Sequence, residues 1–247
     1  MTIRWVWAFL DRPAAEFGDC AEFWTTVTGT TRSEPRGEHD EFLTLLPASG
    51  AATLKMQSVG GPGRVHLDLD VDNVVAATER AERLGATLDG DYILTERIGY
   101  AVLRSPAGMP FCFTPFRDAN GPLTPTVAGP GGDRSRLDQI CLDIGDSDYD
   151  TESRFWSELT GWAWKPTSLP EFARLSARPG IPLDFLMQRL GENRPASAHP
   201  DIACTDIEAT ATWHEELGAS RVDSGKHWLV MADPSGLPYC LTSRQPA

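Results

Sequence analysis

The sequence is short of positive charge. Its 22 lysines and arginines stand against 35 aspartates and glutamates, for a formal net charge of −13. Phosphate backbones are gripped by clustered Lys and Arg, so this balance argues against a nucleic-acid partner. It is compatible with cationic ligands and keeps a surface soluble. No apolar run is long enough to span a bilayer. The segment IRWVWAFL is apolar but short, with no basic stretch before it and no small-residue cleavage site after it, so neither a signal peptide nor a membrane partner is expected. Cysteine is sparse. The five (Cys20, Cys112, Cys141, Cys204 and Cys240) are odd in number and lack CxxC or finger spacing. They read as reduced thiols in a cytoplasmic protein.

What is present is a repeat. RVHLDLDVDNVVAATERAERLGATL (64–88) aligns with SAHPDIACTDIEATATWHEELGASR (197–221), which places His66 on His199 and Asp68 on Asp201. YAVLRSPAGMPFCFT (100–114) aligns with WLVMADPSGLPYCLT (228–242), and Cys112 falls on Cys240. Upstream, AEFWTTVTG (21–29) matches SRFWSELTG (153–161) and KMQS (55–58) matches LMQR (186–189). The chain therefore reads as two tandem domains, 1–117 and 135–247, joined by a Gly/Pro-rich linker over 118–134.

Each half reads as strand, helix and further strands, twice over. VWAFLD and QICLDIGD open the halves as strands, followed by helices near 14–28 and 147–160. In VHLDLDV the apolar Val65, Leu67, Leu69 and Val71 share one face, leaving His66, Asp68 and Asp70 on the other. Asp72 or Asn73 can cap the helix that follows and Gly85 stops it. By the same alternation Trp5 and Trp7 oppose Val6, Ala8 and Leu10, and Gln139 and Cys141 oppose Ile140, Leu142 and Ile144. His39, His214 and His227 have no partner spacing and default to the surface.

A βαβββ unit used twice per domain, FW…TG on the first helix, H-x-D on the fifth strand and a DP-x-G-x-x-F/Y-C-L ending together resemble the vicinal oxygen chelate superfamily. The nearest relatives look like its glyoxalase-like and bleomycin-resistance-like branches. The resemblance implies an α+β fold of two tandem glyoxalase/bleomycin resistance/dioxygenase-type domains, each made of two βαβββ units curled into a cup. It also implies metal-ligand positions on the first, fifth and last strands. These fall on Trp7, His66 and Cys112 in the first half and on Gln139, His199 and Cys240 in the second. Tryptophan cannot ligate. The second set lacks the carboxylate that helps neutralise a hard cation. No cofactor is therefore expected, and Gln139, His199 and Cys240 are the set to consider if a metal binds.

The expected pocket is lined by Trp5, Trp7, His66, Asp68, Cys112, Gln139, Cys141, His199, Asp201 and Cys240. Two functions fit. One is a binding protein that sequesters a cationic or aromatic organic compound, with aromatic walls supplying contact area. The other is an enzyme of the same fold acting in the second domain: a metal-dependent lyase, isomerase or dioxygenase, or a metal-free acid–base catalyst using His199 with Asp201. A small organic ligand is the expected partner, and the chain is expected to be a monomer or homodimer.

Overall fold

The computed structural model describes residues 2–89, 99–117 and 125–246. The first half runs β1 (Ile3–Pro13), α1 (Phe17–Thr28), β2 (Thr30–Arg32), β3 (Phe42–Pro47), β4 (Leu54–Val59), β5 (Arg64–Val71), α2 (Val74–Arg83), β6 (Thr87–Leu88), β7 (Ala101–Arg104) and β8 (Pro110–Pro115). After β9 (Val127–Ala128) the pattern repeats: β10 (Arg134–Ile144), α3 (Tyr149–Thr160), β11 (Ala163–Pro166), β12 (Phe172–Ser176), β13 (Asp184–Arg189), β14 (Ser197–Cys204), α4 (Ile207–Glu216), β15 (Ser220–Ser224), β16 (Trp228–Ala232) and β17 (Pro238–Thr242). The expected α+β architecture is present.

The repeat extends to the local devices that bound each helix. α1 and α3 both end on a glycine in the left-handed region, Gly29 at φ 61° and Gly161 at φ 65°, a conformation that costs a residue with a Cβ. α2 and α4 both start from an extended capping residue whose side chain accepts a backbone N–H: Asn73 from Ala76, and Asp206 from Ala209. Of the two caps weighed for α2, Asn73 is the one used.

Each half forms its own sheet. The orders among the described residues are β2-β3-β4-β1-β5-β8-β7-β6 and β11-β12-β13-β10-β14-β17-β16-β15, with β9 added alongside β10. Residues Val127 and Ala128 of the expected linker thus pair with Ser135 and Arg134; its residues 118–124 lie outside the described residues. In both sheets the last strand of the second βαβββ unit returns parallel to the first: β5 with β8, and β14 with β17. That parallel pairing sets the candidate site.

Packing divides the chain differently from hydrogen bonding. Two compact units emerge, each drawing on both halves: 1–8, 66–120 and 140–198 in one, 9–65, 121–139 and 199–247 in the other. In the first, Phe111 meets Trp156 edge-on at 5.2 Å between ring centres, and Trp156 meets Phe185 at 5.9 Å. In the second, Trp24 and Phe23 pack on Tyr239 at 5.4 and 5.7 Å. His214 is a correction to the surface assignment. It is wholly buried in that aromatic cluster, with Nδ1 2.9 Å from the Tyr239 hydroxyl, and burial lowers its pKa to about 4.

Candidate metal centre

Strand alternation and strand register build the site together. His199 and Asp201 are two apart on β14 and so share a face. In the parallel pairing with β17, Asp201 lies directly opposite Cys240. The three side chains are all buried. His199 Nε2 is 3.5 Å from Asp201 Oδ1 and 3.3 Å from Cys240 Sγ, and one donor atom from each residue lies within 4.8 Å of the others. The first half repeats the arrangement. Asp68 is opposite Cys112 across β5 and β8, His66 Nε2 is 3.6 Å from Asp68 Oδ1, and the three donors again lie within 4.8 Å of one another.

The geometry separates two chemical possibilities. In a relay of thiol, imidazole and carboxylate the two outer groups bind different ring nitrogens. Here Asp201 and Cys240 both approach Nε2 of His199, as donors sharing one cation do. Bond lengths of about 2.0–2.3 Å to nitrogen, oxygen and sulfur, arranged tetrahedrally, place donors about 3.3–3.6 Å apart. The two distances measured from His199 fall in that range. A carboxylate and a thiolate also neutralise a divalent charge. The residues present therefore fit a divalent cation held by His199, Asp201 and Cys240.

The surroundings of the two clusters differ. In the first half Trp7 Nε1 donates to Asp70 Oδ2 at 3.1 Å and Thr114 Oγ1 donates to Asp70 Oδ1 at 2.5 Å. Trp5 meets Trp7 edge-on at 6.4 Å and is itself buried. By the repeat these positions become Gln139, Ala203 and Thr242 in the second half. Gln139 is 1% exposed, and its Nε2 has no hydrogen-bond partner among the described residues. A buried donor left without a partner costs about 1–3 kcal/mol. Cys141 is buried on β10, its Sγ 3.5 Å from Gln188 Oε1 and 3.8 Å from Asp143 Oδ1. Trp162 is buried, whereas Trp164 and Tyr100 are exposed.

Two residues of the second half escaped sequence reasoning. Asp138 and Arg244 pair at 2.7 Å with only 19% and 28% of their side chains exposed. Burial pushes the Asp138 carboxyl up from its usual range; Arg244 and Arg136 pull it back, and Asp201 pushes it further up. Asp138 precedes Gln139 on β10, and its repeat counterpart is the apolar Val6. That substitution was the signal available in the sequence.

Residues 7–114 and 139–242 each match the profile of the glyoxalase-like domain family. No curated protein sequence matches the chain. Among solved structures, a Mn(II)-bound glyoxalase from Novosphingobium aromaticivorans superposes with a TM-score of 0.63 at 14% identity, covering 96% of this chain and 80% of that one. The 2,2',3-trihydroxybiphenyl 1,2-dioxygenase of Sphingomonas wittichii gives 0.62 at 12% identity, with 96% and 88% covered. A catechol 2,3-dioxygenase gives 0.58 at 17%, with 100% and 91% covered. At these identities the likeness shows the fold, and the vicinal oxygen chelate resemblance holds. The expectation of no cofactor is corrected. It rested on a missing carboxylate in Gln139, His199 and Cys240, and Asp201, two residues after His199 on β14 and opposite Cys240 on β17, supplies one; a structure of this fold carries manganese.

Proposed function

The chain belongs to the glyoxalase-like domain family, and from that premise we propose that it is a metal-dependent enzyme working in its second half on a small organic substrate with neighbouring oxygens. The observation that carries the reading is that His199, Asp201 and Cys240 bring one donor atom each within 4.8 Å of the others. Three protein donors leave coordination positions open, the mark of a catalytic centre as opposed to a structural one. A thiolate in the donor set favours a borderline-soft cation such as zinc over the harder manganese or iron. Zinc has no redox chemistry, so the reading is a lyase or isomerase that moves a proton, in preference to a dioxygenase. The cation supplies Lewis acidity toward a bound substrate oxygen.

The chain's own groups do the rest. Asp138, with its carboxyl raised toward neutrality, takes a proton from the substrate and returns it. Arg244 fixes the orientation of that carboxyl. Five cysteines outside any disulfide suit the reducing cytoplasm, and no helix among the described residues is long and apolar enough to cross a membrane.

The test uses zinc-loaded protein in D2O with a panel of small α-hydroxycarbonyl compounds, following loss of the carbon-bound proton by NMR. Exchange that disappears in His199→Ala and falls at least tenfold in Asp138→Asn is the expected result. Zinc binding that His199→Ala leaves intact would overturn the reading. Zinc bound at this centre with no exchange across the panel would favour sequestration.

A further inference from the structure

One wall of the second-half sheet carries a cation that the catalytic reading leaves unused. Along β12, Ala173 and Leu175 are buried in the core, so Phe172, Arg174 and Ser176 alternate onto the other face. Across the antiparallel pair with β13, Arg174 lies opposite Leu186 and Phe172 opposite Gln188. Arg174 is half-buried, and its Nε is shielded from solvent with no hydrogen-bond partner among the described residues. Asp184, on the same face of β13 as Leu186, turns its Oδ1 to the Ala177 N–H. An uncompensated, partly buried cation is costly, and this one stands in a chain with 35 acidic residues against 22 Lys and Arg. We infer that Arg174 and Gln188 form a carboxylate-binding subsite on the β12–β13 wall, whose ligand is a small organic acid with an apolar body.

The guanidinium is a planar fork of donors that matches the two oxygens of a carboxylate, and such bonds strengthen away from water. Gln188 Oε1 accepts from the Cys141 thiol at 3.5 Å, which leaves the amide nitrogen as a second donor. Diagonal neighbours on an antiparallel pair are about 7–8 Å apart, within reach of two long side chains. Phe172 and Leu186 supply apolar contact for the body of the ligand. The repeat sharpens the assignment. KMQS on LMQR sets Lys55 on Leu186, and Thr44 opposite Lys55 matches Arg174 opposite Leu186. Each half places a cation at this rung, on opposite strands. Lys55 is engaged within the fold, its Nζ 5.0 Å from the centre of the Phe9 ring; Arg174 is left for a ligand. Phe172, Arg174, Leu186 and Gln188 all belong to one compact unit. The subsite needs no metal, so it stands apart from the catalytic reading.

The test titrates the full chain, stripped of metal so that no anion can bind a metal ion, with benzoate by calorimetry. Benzamide serves as the neutral control and inorganic phosphate as a second anion. Benzoate is expected to saturate one site per chain below about 10 mM, and benzamide to bind at least about tenfold more weakly because it lacks the charge. That comparison uses the unmodified chain and does not depend on a variant folding. Arg174→Met keeps the length of the stem and is expected to weaken benzoate at least about tenfold while leaving benzamide unchanged; Arg174→Lys, charged but without the fork, falls between. Benzoate affinity that Arg174→Met leaves intact would overturn the inference. So would equal binding of benzoate and benzamide, tighter binding of phosphate than of benzoate, or no saturable benzoate site. Benzoate bound by His199→Ala as tightly as by the unmodified chain would support this subsite even if the metal centre failed its own test.

Discussion

The two copies of the repeat bury the same indole N–H in different ways. In one unit Trp24 Nε1 donates to Asp233, a residue of the DPSG turn, at 2.9 Å. The same carboxylate takes the Nε of the fully buried Arg12 at 2.6 Å, and Arg12 stacks over the Trp24 ring. In the other unit Trp156 Nε1 donates at 2.7 Å to Glu152, one turn earlier on its own helix, and Glu152 also accepts the Ala107 backbone N–H. The repeat sets Asp233 on Ser105, Cys20 on Glu152 and Arg12 on Ile144. A carboxylate has moved from turn to helix, a small residue has moved the other way, and the cation is present only with Asp233. In the copy without the cation, burial pushes the Glu152 carboxyl up against its three hydrogen bonds. A buried carboxylate held by neutral donors alone is drawn toward its protonated form.

That contrast makes the two carboxylates unequal in stability. Asp233→Asn leaves Arg12 charged and buried, and is expected to cost about 3–5 kcal/mol in denaturant unfolding. Glu152→Gln removes no charge partner and keeps one acceptor oxygen, so its cost is about 1–2 kcal/mol. Equal costs would erase the distinction between the units.

The pH profile separates them further. His214 has its folded pKa lowered to about 4 from the ordinary 6.5. The unfolded chain therefore takes up a proton first as the pH falls, and stability drops between those values by on the order of 3 kcal/mol. Glu152 runs the other way. Its folded pKa is raised, so its contribution is whole below the unfolded value of 4.5 and is lost as the pH rises through the folded one. In thermal melts, His214→Gln is expected to flatten the loss from pH 6.5 to 4 and leave the Glu152 component intact. An unchanged acid limb in that variant would contradict the assignment.

The cups give smaller effects of opposite sign. Trp7→Phe removes a donor from buried Asp70 and is expected to destabilise by about 1–2 kcal/mol. Gln139→Leu removes an orphaned buried amide and is expected to raise the stability of metal-free protein by up to about 1 kcal/mol. Losses of similar size at both positions would mean that the second cup is not reserved for a ligand. Smallest of all, Asn73→Ala and Asp206→Ala should cost about 1 kcal/mol each, because the two caps are the same device in both halves.

The sequence carried the local part of this account. Alternation in VHLDLDV put His66 and Asp68 on one face, the repeat paired Cys112 with Cys240, and the α2 cap was narrowed to Asp72 or Asn73. What it withheld depends on long-range pairing. Whether Asp201 meets Cys240 is decided by the register of parallel strands about forty residues apart, and local periodicity holds no record of register. His214 looked like a surface residue because Tyr239, its partner, is 25 residues away. The Trp24–Asp233 bond spans 209 residues, so the exchange of a carboxylate between turn and helix becomes visible only once the fold brings both copies of the pair together.

The most direct test of the central claim is anomalous scattering from crystals of the full chain grown with zinc and measured at the zinc edge. The account predicts a peak about 2.0–2.3 Å from each of His199 Nε2, an Asp201 oxygen and Cys240 Sγ. A map with no peak at that point, or one whose peaks fall only on surface histidines and carboxylates, would contradict it.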